Sequence, residues 1–239
     1  MSLLFEEIDS QPSPLGEISL RRRRIPAFGE RDIYEVKLGE EFLMSSMFVD
    51  AEEALATLGL AAVRGDSLTV VVGGLGLGYT AVAALQDERI AELLVVDAID
   101  TVIDWHKKEL VPLGKILNAD DRNRYVLGSF FDLATAPATG FDPDHQGRKF
   151  DAILLDIDHS PTEYLNSANA SFYTTENLAL MAEQLKPEGV FAMWSQNLPE
   201  AEFEALLNTV FAQVESHVVR FYNPLQNRES TNSVYVCKK

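Results

Sequence analysis

From Leu68 onward, short unbroken apolar runs alternate with stretches whose apolar residues recur at helical spacing. Strands are predicted at 68–72, 92–97, 124–128, 151–156, 189–194, 214–221 and 233–237, and helices at 78–87, 99–110, 174–186 and 199–212. The early strands are apolar at nearly every position, as expected when helices cover both faces of a parallel sheet. This alternation predicts an α/β fold, a doubly wound, mostly parallel seven-stranded Rossmann-like sheet. Lys186-Pro187-Glu188-Gly189 is read as the stop of one helix and Pro199 as the first turn of the next. Residues 134–149, with Pro137, Gly140, Pro143 and Gly147, read as a loop.

The first 49 residues follow a different pattern. Ile33 to Leu38 alternates, Gly39-Glu40-Glu41 turns, and Phe42-Leu43-Met44 returns, which predicts a hairpin. Arg21 to Arg24 is read as a solvated edge strand guarded by charge, with an anionic partner as the other possibility. At Asp50-Ala51-Glu52-Glu53 the spacing predicts an N-cap at Asp50 with Glu53 closing a capping box, followed by a helix to Leu60. The chain therefore divides into a small β-strand region, 1–49, and a Rossmann-like domain, 50–239.

The candidate chemistry begins at Val70-Val71-Val72-Gly73-Gly74-Leu75-Gly76-Leu77-Gly78, an apolar strand running into a glycine-rich turn. A second strand, Leu93 to Val96, ends in Asp97 after room for one crossover helix. This βαβ layout suits a nucleoside-containing ligand: glycines let the backbone approach it, and an acid can accept hydrogen bonds from ribose hydroxyls. The same turn could also be a tight strand-to-helix connection that binds nothing. Its spacing, GxGxG with Tyr79 following, departs from the dinucleotide GxGxxG pattern.

In open α/β sheets, ligands bind outside the carboxyl ends of the strands. The ends expected there are Gly73 to Gly78, Asp97, the segment Gly128-Ser129-Phe130, Asp156-Ile157-Asp158-His159, and Ser195-Gln196-Asn197. Asp156, closing a buried strand, is the leading catalytic candidate, able to accept a proton from an amine or to face a sulfonium or ammonium charge. Asp158 and His159 are substrate candidates. Asp158 could equally be a loop-capping acid, and His159 a surface loop residue. The histidines and the single cysteine, Cys237, show no metal-ligand spacing, and neither GxSxG nor GxxxxGK[ST] occurs.

Composition narrows the partners. At 239 residues, 46% of them hydrophobic, the chain can bury one sizeable core. Its formal net charge of −17 disfavours nucleic acid and favours a small cationic substrate, although an acidic surface also serves solubility. One cysteine allows no intrachain disulfide, and there is neither a secretory pattern nor an apolar run of roughly 20 residues, so a cytoplasmic protein without membrane contact is expected.

The order of these motifs resembles the class I S-adenosylmethionine-dependent methyltransferase superfamily, and within it the spermidine-synthase-like branch. The resemblance covers most of the chain. Gly73 to Gly78 stands where that branch has GGGDGG, and Phe150 to Asp156 matches the strand that ends in its catalytic acid. Ser171 to Glu176 and Leu185 to Val190 match its LFT-E and LKPGG segments. The resemblance implies a transferase that binds S-adenosylmethionine or its decarboxylated form and moves an aminopropyl or methyl group to an amine. It also implies a homodimer. Carried over, Gly73, Gly74, Gly76 and Gly78 pass along the nucleoside and its alkyl arm, Asp97 holds the ribose, Ser129 and Phe130 lie against the adenine, and Asp156 deprotonates the acceptor. Glu53 matches a glutamate of the family's first-helix motif as well as the capping box, the latter preferred.

The chain departs from that family's motifs at three positions and has no clear copy of the tyrosine-rich and glutamine-bearing segments that line the family's polyamine groove. Gly76 replaces the acid of GGGDGG, Ser129 replaces an adenine-contacting aspartate, and His159 falls where DSSDP has its second acid. Without an acid at Gly76, the site is expected to suit the full cofactor, whose carboxylate backbone amides could bind. Two other classes stay open at this point, an NAD-dependent oxidoreductase and a non-catalytic nucleoside-binding protein.

Overall fold

A computed structural model describes residues 4–26, 29 and 31–239. Strands β1 (Phe5–Ser13), β2 (Gly16–Arg24), β3 (Asp32–Leu38) and β4 (Glu41–Ser45) form an antiparallel sheet in that order. The predicted hairpin is therefore half of a larger sheet. Arg21 to Arg24 do not form an edge: β2 lies between β1 and β3. Cross-strand carboxylates neutralise the run, with Arg21 on Glu7, Arg22 on Glu6, Arg23 on Glu35 and Arg24 on Asp32. Opposite charges facing each other across strands are favourable pairs, so the run is internal to the sheet.

Helix α1 (Asp50–Ala61) leads to the main sheet. Its cap differs from expectation. Val49 is the N-cap, Asp50 is already helical, and no side chain bonds the first amides. The Glu53 amide donates to the Val49 carbonyl at 3.0 Å, while its side chain is exposed.

The main sheet comprises β5 (Leu68–Gly73), β6 (Ile90–Asp97), β7 (Asn123–Leu127), β8 (Phe150–Leu155), β9 (Leu185–Ser195), β10 (Gln213–Asn223) and β11 (Arg228–Lys238). Its order is β10-β11-β9-β8-β5-β6-β7, parallel from β9 through β7, with β11 antiparallel to both β9 and β10. The connecting helices are α2 (Tyr79–Leu85), α3 (Asp100–Lys107), α4 (Gly114–Ala119), α5 (Phe130–Ala134), α6 (Thr175–Glu183) and α7 (Ala201–Leu207). This is the expected seven-stranded, doubly wound α/β sheet. The period of two explains the continuous apolar strands: Val70 and Val72 enter one core with Leu55, Ala81 and Trp105, while Val71 enters the other with Phe191, Leu178 and Met181.

The short helices α4 and α5 carry too few turns to leave a periodic signal and were not expected. Two boundary expectations also fail. Helix α6 ends at Glu183, so Lys186 to Gly189 open β9 instead of stopping the helix. Helix α7 begins at Ala201 with Glu200 as its N-cap, leaving Pro199 outside. Residues 135–149 do form a loop, fixed by the fully buried Asp142, which meets Arg124 at 2.7 Å and Arg148 at 2.8 Å.

Candidate active site

The strand order reverses at β5, which has β6 on one side and β8 on the other. At the carboxyl ends of these strands lies a cavity of about 660 Å³, roofed by the N-terminal sheet and the start of α1.

The glycine turn is shaped by what presses on it. Gly74 has φ +95°, and a Cβ there would stand 2.0 Å from the Asp156 carbonyl oxygen. Gly76 has φ +48°, and its Cβ would meet the Met44 sulfur at 2.2 Å. Only glycine combines such backbone angles with such close neighbours. Both residues line the cavity. Gly73 and Gly78 do not. A Cβ at Gly73 would strike the Phe130 ring at 2.3 Å, and one at Gly78 would press on Leu117 at 2.8 Å, so these two glycines set packing behind the turn.

Asp97 lines the cavity and organises the turn. Its carboxylate accepts the Leu75 amide at 3.0 Å and the Ile99 amide at 2.8 Å. Burial raises its carboxyl above the usual range, opposed by the amides of Ile99, Leu75 and Gly76. Asp156 follows β8. Its amide donates to the Gly73 carbonyl at 2.8 Å, and its carboxylate accepts the Thr80 hydroxyl at 2.6 Å. Burial pushes this carboxyl up to about 6. Ser129 lines the cavity and caps α5 through the Asp132 amide at 3.3 Å. Phe130 touches the cavity wall, but most of its ring belongs to a core cluster, 5.0 Å from Phe141 and 5.9 Å from Phe172.

The two substrate candidates separate. His159 lines the cavity, with Nε2 2.9 Å from Glu41 Oε1. Asp158 is buried behind the cavity lining. Its carboxylate accepts the Leu165 amide, the Asn169 side-chain amide and the Tyr173 hydroxyl, each at 2.8 Å. It anchors the segment after β8 and does not face the cavity, which corrects its expected contact with substrate. Asp158→Asn should lower the unfolding free energy by about 1–2 kcal/mol, the cost of weakened buried bonds. Denaturant titration of the variant against wild type checks this.

Sequence reasoning missed Glu52. It lines the cavity, whereas Glu53, the residue singled out, points to solvent. Helical spacing puts Glu52 on one stripe with the buried Ala56 and Gly59; an acid on an otherwise buried stripe was the available signal. Burial raises the Glu52 carboxyl to about 8, helped by repulsion from Asp156. A carboxyl raised on folding loses stability as pH rises from its unfolded value through its folded one. Glu52→Gln should therefore be more stable than wild type by about 2 kcal/mol near pH 9, with the difference vanishing near pH 4. Thermal or denaturant unfolding across pH tests this.

The architecture is a Rossmann-like, methyltransferase-like α/β fold with a small N-terminal β-sheet. No protein-family model and no curated protein matches the sequence. Among solved structures, the chain is similar to spermidine synthase from Thermotoga maritima, with TM-score 0.73 and 16% identity over 98% of this chain and 72% of that one. It is also similar to spermidine synthase in complex with the transition state analogue AdoDATO, with TM-score 0.71, 16% identity and the same coverage. The fold is spermidine-synthase-like. Among the described residues, no helix is long and apolar enough to cross a membrane.

Proposed function

We propose that the chain is a transferase that binds decarboxylated S-adenosylmethionine and moves its aminopropyl group to the nitrogen of a small cationic amine. The observation that carries this reading is the charge of the cavity. Asp50, Glu52, Asp97, Asp132 and Asp156 line it, and among the described lining residues none is Lys or Arg. A low-dielectric pocket of one sign concentrates ligands of the other. The fold shared with a spermidine synthase solved with a transition state analogue supports the same reading.

The turn also supports the decarboxylated donor over the full one, against the expectation drawn from Gly76. A cofactor carboxylate would need free donors. The Leu75 amide already serves Asp97, the Gly74 amide serves the Val96 carbonyl, and the Gly78 amide serves the Leu75 carbonyl. The Met44 thioether covers Gly76. A donor ending in a bare ammonium meets none of these obstacles.

In this reading Gly74 and Gly76 pass beside the donor, Asp97 takes the ribose hydroxyls, and Ser129 stands on the adenine side. Asp156 accepts the acceptor's proton. The donor supplies a carbon bound to a sulfonium, a good leaving group, so the chain mainly has to align nitrogen with carbon. The proposal includes a homodimer, for which the exposed Leu4 and Phe5 beside the free edge of the N-terminal sheet offer apolar surface; a monomer mass by light scattering would remove that part.

The test is calorimetric titration of the purified protein with decarboxylated and full S-adenosylmethionine side by side. Preference for the decarboxylated form is expected. Preference for the full cofactor would make the chain a methyltransferase. Binding of neither would overturn the transferase reading.

A further inference from the structure

The charged and apolar parts of the cavity wall come from different stretches of the chain. The lining carboxylates are Asp97 and Asp156 at strand ends, Asp132 on α5, and Asp50 and Glu52 in the first turn of α1. The N-terminal sheet contributes none. Its part of the roof includes Leu15, Phe42, Leu43 and Met44, with Phe48 just beyond. Among the described residues, the only polar one it adds is Ser45, whose hydroxyl oxygen accepts the Met47 amide at 3.2 Å. This wall lies over the glycine turn, where a Cβ on Gly76 would stand 2.2 Å from the Met44 sulfur. The rings of Phe48 and Phe221, with centroids 5.6 Å apart, carry it on to β10. Beyond Asp156, the acids of β4 and of the segment after β8 already have protein partners. Glu41 Oε1 lies 2.9 Å from His159 Nε2, Glu163 accepts the Gln196 side-chain amide, and Asp158 accepts three donors at 2.8 Å. An ammonium laid against this wall would lose water and gain no counter-charge, which is strongly unfavourable. Hydrocarbon laid there would be stabilised by leaving water.

We propose that the acceptor carries a single nitrogen on an apolar body, as a primary alkylamine or arylalkylamine does, and that the N-terminal sheet selects it against diamines and polyamines. This rests on the transferase reading above and deepens it by naming the class of acceptor. The nitrogen enters beside Asp156, and the hydrocarbon lies under Phe42, Leu43 and Phe48. Asp156 takes one proton from the entering ammonium. The freed lone pair bonds the donor carbon as the carbon–sulfur bond breaks, its electron pair staying on sulfur. The products are a secondary ammonium and methylthioadenosine, with the displaced proton on Asp156.

Calorimetry with the protein saturated with methylthioadenosine tests the assignment, using butylamine, hexylamine and hexanediamine as probes near neutral pH. Each added methylene should tighten monoamine binding by about 4-fold. Hexanediamine has the chain of hexylamine and a second ammonium, and should bind about 10-fold or more weakly than hexylamine. Phe42→Glu puts a carboxylate on the wall at a position 46% exposed on the edge strand β4, where the fold can accept it. It should shift the ratio of the two affinities toward the diamine by about 10-fold. With methylthioadenosine bound, no gain with chain length, or diamine binding as tight as that of hexylamine, would overturn this inference alone. An unchanged ratio in Phe42→Glu would overturn the assignment of the N-terminal sheet as the selecting wall. Failure of wild type to bind methylthioadenosine would overturn the transferase reading and this inference with it.

Discussion

For the transferase proposed above, Asp156→Asn is expected to lower the turnover rate by about 10³-fold while leaving donor affinity nearly unchanged, the effect of removing a general base whose contribution is about 10²–10⁴. Asparagine has the shape of the carboxylate and can keep the bond from the Thr80 hydroxyl, which is 2.6 Å from Asp156 in the wild-type chain. It cannot take a proton from an amine. In the proposed reading the donor is held elsewhere, by Asp97 and the backbone of Gly74 and Gly76, so the loss should fall on kcat and not on donor Kd. The pH profile adds an independent reading. Burial pushes Asp156 up to about 6, so wild-type activity should fall as pH drops through that value, where the base becomes protonated. The asparagine variant should lack that limb. A loss of donor affinity equal to the loss of rate would mean that Asp156 holds the donor and is not the base.

Gly74→Ala has the largest expected effect on the architecture of the site. The backbone there is left-handed, at φ +95°, a strain of roughly 1–3 kcal/mol for a residue with a side chain. The new methyl would also stand 2.0 Å from the Asp156 carbonyl oxygen. That neighbour is backbone, held at the end of β8 by the Asp156 amide bond to Gly73 at 2.8 Å, so it cannot swing aside as a side-chain tip would. Turn and β8 end must separate. We expect a loss of about 3 kcal/mol in unfolding free energy, combining strain and displaced packing, together with loss of measurable methylthioadenosine binding. Denaturant unfolding and calorimetry test the two parts. A stable variant that still binds the nucleoside would show that the contact between turn and β8 does not shape the site. Gly76→Ala should be milder for stability, because the obstructing atom is the flexible end of Met44.

These two positions were legible in the sequence because their signals are local. The apolar runs ending in Gly73, Asp97 and Asp156 each report a strand buried on both faces and the polar residue at its carboxyl end. A sheet built from such strands puts those ends side by side whatever surrounds them. The fold class, the glycine turn and the acid that follows β8 are set by patterns within a few residues of each position. The resemblance to the spermidine-synthase-like branch rests on the same short segments.

Other features depended on partners distant in the chain. Arg21 to Arg24 read as a guarded edge because the sequence does not say that β1 and β3 will flank β2 and supply Glu6, Glu7, Glu35 and Asp32. Asp158 read as either a substrate contact or a loop-capping acid because it follows the strand that ends in Asp156; the Leu165 amide, the Asn169 side chain and the Tyr173 hydroxyl, all distant in the chain, bind its carboxylate. Met44 covers Gly76 across more than thirty residues of sequence. The choice between Glu52 and Glu53 is the sharpest case. Adjacent helical residues differ by about 100° in direction, so either could have faced the cavity. Their order along the chain is set by sequence, but which one lines the cavity is decided by the rotation of α1 as Leu55, Ala56 and Leu60 pack on the sheet. The sequence by itself determined the strands, the turn and the acids at their ends, since these follow from local burial and backbone preference. The tertiary structure alone decided which charges meet inside the cavity, since that depends on how separate elements dock.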